Sequence, residues 1–248
     1  MRNTLRTLWH AARAGRRPTV VRRVGEAGDL ILLAHWADKA PLRLEVPTRF
    51  LRSQGAFAYG PDHPFVRALT DGKPALEGFY AGFQPATLGA VHGTASDLEP
   101  WRLPWRLQDR PKAPPGEWGL PAEEGLAFWG PCSERKIALE MRRLTEARDG
   151  IAAKGFAPET YGEIEGHVLT DGTRAVFFVM GGKHRAAVLA ARGDTHIRVA
   201  FRAERLALVD TARVSHWPMV AAGEIGAEEA LSIAEDYLRG RSMDEVLG

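Results

Sequence analysis

Two groups of residues in the second half of the chain have the types and spacing to handle phosphate. The run Gly181-Gly182-Lys183-His184-Arg185 follows the apolar Phe177-Phe178-Val179-Met180 and leads into an alanine-rich segment from Ala186. Paired glycines let the backbone take unusual conformations and let a ligand approach closely. The N–H groups that open a following helix lack partners within it, and the macrodipole there favours an anion. Lys183, His184 and Arg185 would add side-chain donors, with arginine able to grip phosphate through two parallel bonds. Upstream, Lys136, Glu140 and Arg143 recur at i, i+4 and i+7 and so share a helix face. Lys136 and Arg143 are candidate phosphate contacts beside Gly181, Gly182 and the basic residues. Glu140, lying among them, is the first candidate general base; Glu163 and Glu165 follow, and His184 is placed in both the catalytic and the binding set. Each group also has a plainer reading, as a solvated ion-pair ladder and as an ordinary strand–turn–helix connection. The run is not a Walker A sequence. The expectation is that two helix starts bearing cations converge on one anion-seeking pocket.

The elements that must position these residues read as follows. Ser133 to Lys154 is predicted as a helix, with Ser133 as N-cap, an apolar stripe of Ile137, Met141, Leu144 and Ile151, and a stop at Gly155. Gly166 to Thr170 and Ala175 to Met180 read as strands around the Asp171-Gly172 turn. The basic loop then opens a helix Ala186 to Arg192, followed by a strand Ile197 to Phe201 and a helix Ala227 to Arg239. In the first half, Leu5, Leu8, Trp9 and Ala12 have helical spacing. Thr19–Val24 and Asp29–Ala34 read as a hairpin, and Leu42–Val46 as a half-buried strand. Helices are expected over Pro64–Leu69 and Ala75–Phe83, where Tyr80, Phe83 and Gln84 serve either a substrate pocket or the core. A Pro/Trp-rich connector over 98–120 places a boundary near residue 120. The expected fold is α+β, with a smaller mixed α/β domain over 1–120 and a phosphate-binding domain over 121–248.

Composition excludes several classes. With 248 residues, 45% of them hydrophobic, and seven tryptophans, the chain can fill a core. No run approaches a membrane span, and the N-terminus lacks the apolar core of a secretory signal, so the cytoplasm is the expected compartment. A net charge of +2 does not mark a nucleic-acid binder. Arginines crowd the first 23 positions, however, and that stretch is read either as a contact for a membrane surface, nucleic acid or an acidic partner, or as a solvated helix face followed by a strand. The single cysteine, Cys132, excludes a disulfide framework. The histidines show no paired metal spacing. His216-Trp217-Pro218 is a candidate cover for the cleft, with Trp217 either stacking on a ligand or packing.

Val179-Met180-Gly181-Gly182-Lys183-His184-Arg185 resembles the Gly-Gly-Cys-His-Arg loop of the sulfiredoxins. The helix after Pro131 with Lys136, and the lead-in Ile151 to Pro158 through Gly155-Phe156, are similar to the elements that flank that loop in the ParB/sulfiredoxin family, which also includes a free-serine kinase. The chain as a whole resembles a bacterial group carrying such a domain at its C-terminus. The resemblance implies that loop and helix hold nucleotide phosphates. The departures are equally specific. Lys183 stands where sulfiredoxin has its reacting cysteine, so sulfinic-acid reduction is not expected. Ala187 replaces the last arginine of the ParB pattern, and no helix-turn-helix follows. Gly181 stands where the serine kinase has an aspartate.

The leading expectation is a phosphotransferase using a nucleotide (ATP, ADP or CTP) with Mg²⁺ and acting on a small hydroxylated molecule such as a sugar or amino acid. The alternatives are a non-catalytic nucleotide-sensing module and a ParB-like DNA binder. Oligomeric state is left open.

Overall fold

The computed structural model describes residues 20–37, 42–106, 120, 122–201 and 206–247. The expected helix at Leu5 to Ala12, the arginines before Arg22, and Pro111, Pro114, Pro115 and Trp118 of the connector lie outside these residues.

Strand β1 (Val20–Arg23) is parallel to β2 (Leu42–Pro47), with helix α1 (Ala27–Trp36) between them in the chain. This corrects the hairpin expected there, because Asp29 to Ala34 is helical. A short apolar run suits a strand or a buried helix equally. What decides is the capping box, in which the Asp29 carboxylate accepts from the N–H groups of Gly25 at 2.8 Å and Glu26 at 3.2 Å. Strand β3 (Leu51–Arg52) leads to α2 (Pro64–Thr70), α3 (Lys73–Gly82) and α4 (Leu88–His92). Helix α3 buries Leu76, Phe79 and Tyr80, and the Tyr80 hydroxyl donates to Ala127 C=O at 2.7 Å, so this face is core.

Helix α5 (Glu134–Lys154) starts where expected, with Ser133 Oγ accepting from Lys136 N–H at 3.1 Å, and Gly155 ends it. A short turn, α6 (Pro158–Tyr161), precedes the antiparallel pair β4 (Glu165–Thr170) and β5 (Ala175–Gly181). Then come α7 (Lys183–Ala191), β6 (His196–Phe201), β7 (Leu208–Asp210), α8 (Pro218–Ala221), α9 (Ala227–Arg239) and α10 (Met243–Leu247).

The fold is α+β around one mixed sheet. Its strands run β1-β2-β6-β4-β5-β3, with β7 beside β4. Alternation along β5 sends Ala175, Phe177 and Val179 to one buried cluster and Val176 and Phe178 to the other. The first cluster also holds α1, α2, α3, α5 and α7, whereas the second is closed by α9, Trp105 and Trp217. Gly166 makes β4 and β5 possible at this spacing, since a Cβ there would lie 1.9 Å from Phe178 C=O.

The division expected at residue 120 does not separate two cores. Strands β1, β2 and β3 share the sheet with β4 to β7, and one cluster runs from Val24 to Met243. Pairings between distant strands cannot be read from local spacing, so the proline-rich connector looked like a boundary. No helix of the described residues is long and apolar enough to cross a membrane.

Candidate functional site

The basic run is less a loop than the first turn of α7. Gly182 is its N-cap, left-handed at φ 77°, with no side-chain cap. The first helical bond joins Ala186 N–H to Gly182 C=O at 3.0 Å, so the N–H groups of Lys183, His184 and Arg185 lie ahead of it. A Cβ at position 182 would meet Ile164 and Arg185 at 3.0 Å, which together with the positive φ requires glycine.

This helix start opens on a cleft of about 860 Å³. Gly182, His184 and Arg185 form one wall; Arg143, Ala147 and Gly150 of α5 form the other; and Phe156 and Tyr161 lie beside them. Helix α5 therefore faces the cleft with its middle and not, as expected, with its N-terminus. The face is the one carrying Arg143, while Lys136, two turns earlier, is not part of it.

Lys136 is instead buried, 1% exposed, with Nζ 2.8 Å from Oε1 of Glu140, itself 0% exposed. The other carboxylate oxygen lies 2.5 Å from Nε2 of His184, and Arg143 stands 3.8 Å from Oε1. Burial alone would raise the Glu140 carboxyl. The hydrogen bond and charge of His184, then those of Lys136, overcome this and hold it down at about 2. These facts correct two expectations. Lys136 is not exposed to a ligand in the cleft, and Glu140 is sealed from it and far too weak a base to accept a substrate proton at neutral pH.

What Glu140 does is hold His184. Its carboxylate accepts from Nε2–H, which leaves Nδ1 as the ring nitrogen that Glu140 does not engage. The imidazole also stacks on Phe65 at 4.9 Å and 15°. His184, with 21% of its side chain exposed, is thus a cleft-lining imidazole fixed by a buried carboxylate and an aromatic plate. Phe65 and Tyr161 went unnoticed in the sequence, and Phe156 stood out only as part of the lead-in after Gly155, since an aromatic side chain carries no mark of what it faces.

The remaining expected residues divide differently. Arg185 lines the cleft, but its guanidinium donates to the carbonyls of Tyr161, of Gly162 at 2.5 Å and of Glu163 at 3.0 Å. It staples α6 and the following turn to α7, so the two-pronged phosphate grip expected of it is already spent on backbone. Lys183 turns elsewhere, donating to Gln54 Oε1 with Nζ 5.2 Å over the Phe128 ring, and is not part of the cleft wall. Gly181 ends β5 opposite Glu165, which sits at a bulge in β4 and is absent from the cleft lining. Glu163 is ion-paired with Arg43.

Other groups that resemble catalytic pairs are structural. His63 Nδ1 accepts from Phe65 N–H at 3.1 Å, so Nε2 carries the proton towards Ser53 Oγ at 3.0 Å and cannot activate that hydroxyl. Burial drives the His63 imidazole down to about 3, as it does His167, whose Nε2 accepts from Trp105 Nε1 at 3.1 Å. His92 Nδ1 meets Asp236 at 2.9 Å with its ring 1% exposed. The Cys132 thiol donates to the carbonyls of Leu126 and Trp129 at 3.3 and 3.5 Å. Trp217 is buried edge-on against Trp105 at 5.4 Å and lines a different cavity, so it does not cover the cleft. Comparisons with protein-family models, with curated proteins and with solved structures found no match.

Proposed function

We propose that the cleft binds the phosphates of a nucleotide and that the protein transfers a phosphoryl group to a small hydroxylated acceptor. The observation that carries this reading is the meeting, in one cleft, of Arg143, the uncapped start of α7 and the Glu140-held imidazole of His184. Backbone N–H groups ahead of the first helical bond and a guanidinium suit an anion. Phosphoryl transfer asks mainly for positioning and charge neutralisation. His184 replaces Glu140 as the group that takes the acceptor hydroxyl's proton, with Nδ1 as the accepting atom and Glu140 fixing the ring. The apolar surface of Ala147, Ile151, Phe156 and Tyr161 gives a base or sugar somewhere to lie. The likeness of Gly181 to Arg185 to the phosphate-holding loop of the ParB/sulfiredoxin family points the same way.

Mg²⁺ fits this cleft only as a partner of the phosphates. Glu146 is the one carboxylate in the lining, and among the described residues no three His, Cys, Asp or Glu side chains group to hold a metal. Magnesium commonly takes one or two carboxylates, keeping water and phosphate oxygens for the rest. That single carboxylate also favours a second reading, nucleotide binding without transfer.

A thermal-shift screen of ATP, ADP, CTP and GTP, each with and without Mg²⁺, tests the binding. One nucleotide should raise the melting temperature by mass action, and Arg143→Ala should abolish the rise. Equal stabilisation of both proteins by every nucleotide would refute the site. Phosphorylated product from a pool of sugars and amino acids, lost in His184→Asn, separates transfer from binding alone.

A further inference from the structure

A second cavity, about 320 Å³, shares no lining residue with the cleft. It runs from Leu206 through β7 to Asp210, and the edges of Trp105 and Trp217, 2% and 5% exposed, line it together with Ala34, Leu206 and Pro218. Both indole N–H groups are already engaged within the protein. Trp105 Nε1 donates to His167 at 3.1 Å and Trp217 Nε1 to Asp210 C=O at 3.2 Å. The rings also lock each other edge to face. They can therefore offer the cavity only carbon, on a surface that does not need to rearrange.

The polar groups of the lining are of a different kind. Arg213, His35 and His216 are exposed side chains, and Arg213 has no hydrogen bond or ion pair among the described residues. The single acid, Asp210, turns Oδ1 onto Ala212 N–H at 2.9 Å. A rigid apolar wall with one uncommitted guanidinium matches a ligand that has an apolar, flat body and one carboxylate, which arginine can bind with two parallel bonds. The volume falls at the small end of ligand sites, roughly 300–1,000 Å³.

We propose that this cavity is a binding site for a small aromatic or similarly apolar monocarboxylate, with Arg213 as the carboxylate anchor. It is independent of the nucleotide reading. Phenylacetate and its neutral analogue phenylacetamide are the probes, titrated into the full chain while the indole N–H cross-peaks of Trp105 and Trp217 are followed by NMR. Phenylacetate should move both peaks saturably, and phenylacetamide should bind roughly tenfold more weakly or worse, as loss of a charge-assisted pair implies. Arg213→Gln should make the two probes equal, and Arg143→Ala, at the other cleft, should change nothing. The proposal is overturned if neither peak moves, if acid and amide bind native protein alike, or if Arg213→Gln keeps the preference for the acid.

Discussion

Among the described residues, two histidine–carboxylate pairs have similar geometry and opposite use. His184 meets Glu140 at 2.5 Å and His92 meets Asp236 at 2.9 Å. In the second pair the imidazole is sealed and the carboxylate reaches the surface, so the bond fastens α4 to α9. In the first the order is reversed. The carboxylate is sealed, backed by a buried lysine, and the imidazole lines a cleft. The same bond serves as a fastening in one place and as a mount for a cleft-lining ring in the other. Which partner faces solvent decides.

Acid should produce the largest effect, because it acts on the sealed histidines together. His63 and His167 are held at about 3 in the fold against about 6.5 when unfolded. Above pH 6.5 both states are neutral and nothing is lost. Below it the unfolded chain takes up protons that the fold refuses, so stability falls by about 1.4 kcal/mol per pH unit for each ring until about pH 3. Glu140, depressed to about 2, contributes in full above its ordinary value near 4.5 and loses that contribution as pH falls towards 2. Urea denaturation from pH 7 to pH 4 checks this, and His167→Phe should reduce the slope by about 1.4 kcal/mol per pH unit.

Next in size is Glu140→Ala. It takes away the buried carboxylate that Lys136 and His184 share and should cost about 3–5 kcal/mol in urea denaturation at pH 7. The double change Lys136→Met with Glu140→Leu should recover most of that loss while leaving His184 unmounted, so stability and function part company. Asp236→Ala should cost less, about 1–3 kcal/mol, because it leaves a neutral buried donor and not a charge. The smallest stability change, within about 0.5 kcal/mol, is expected for Arg143→Ala on the cleft wall, even though it should remove nucleotide binding.

Sequence reasoning found what local spacing encodes. Helices α2, α3, α5 and α9, the β4–β5 turn and the Ser133 cap carry their signals within a few residues. It did not find that β1, β2 and β3 join the later strands, since those pairings are long-range, nor the strands β3 and β7, which are too short for a pattern. At the site, Lys136 and Glu140 at i, i+4 read identically whether the pair is solvated or buried, and only packing against α7 and α2 makes it a buried mount. Arg185 looked like a phosphate ligand because its type is right, but its bonds run to three carbonyls that no spacing rule connects to it.

The account rests on His184 as the imidazole that meets the ligand. Labelling the histidine rings and following their NMR signals during titration with the nucleotide selected by the thermal screen tests this directly. The signals of His184 should move at saturation while those of His63, His92 and His167 stay still, and Arg143→Ala should abolish the change. If His184 stays still while the nucleotide binds, or if only His35 and His216 respond, the cleft at the start of α7 is not where the phosphates go.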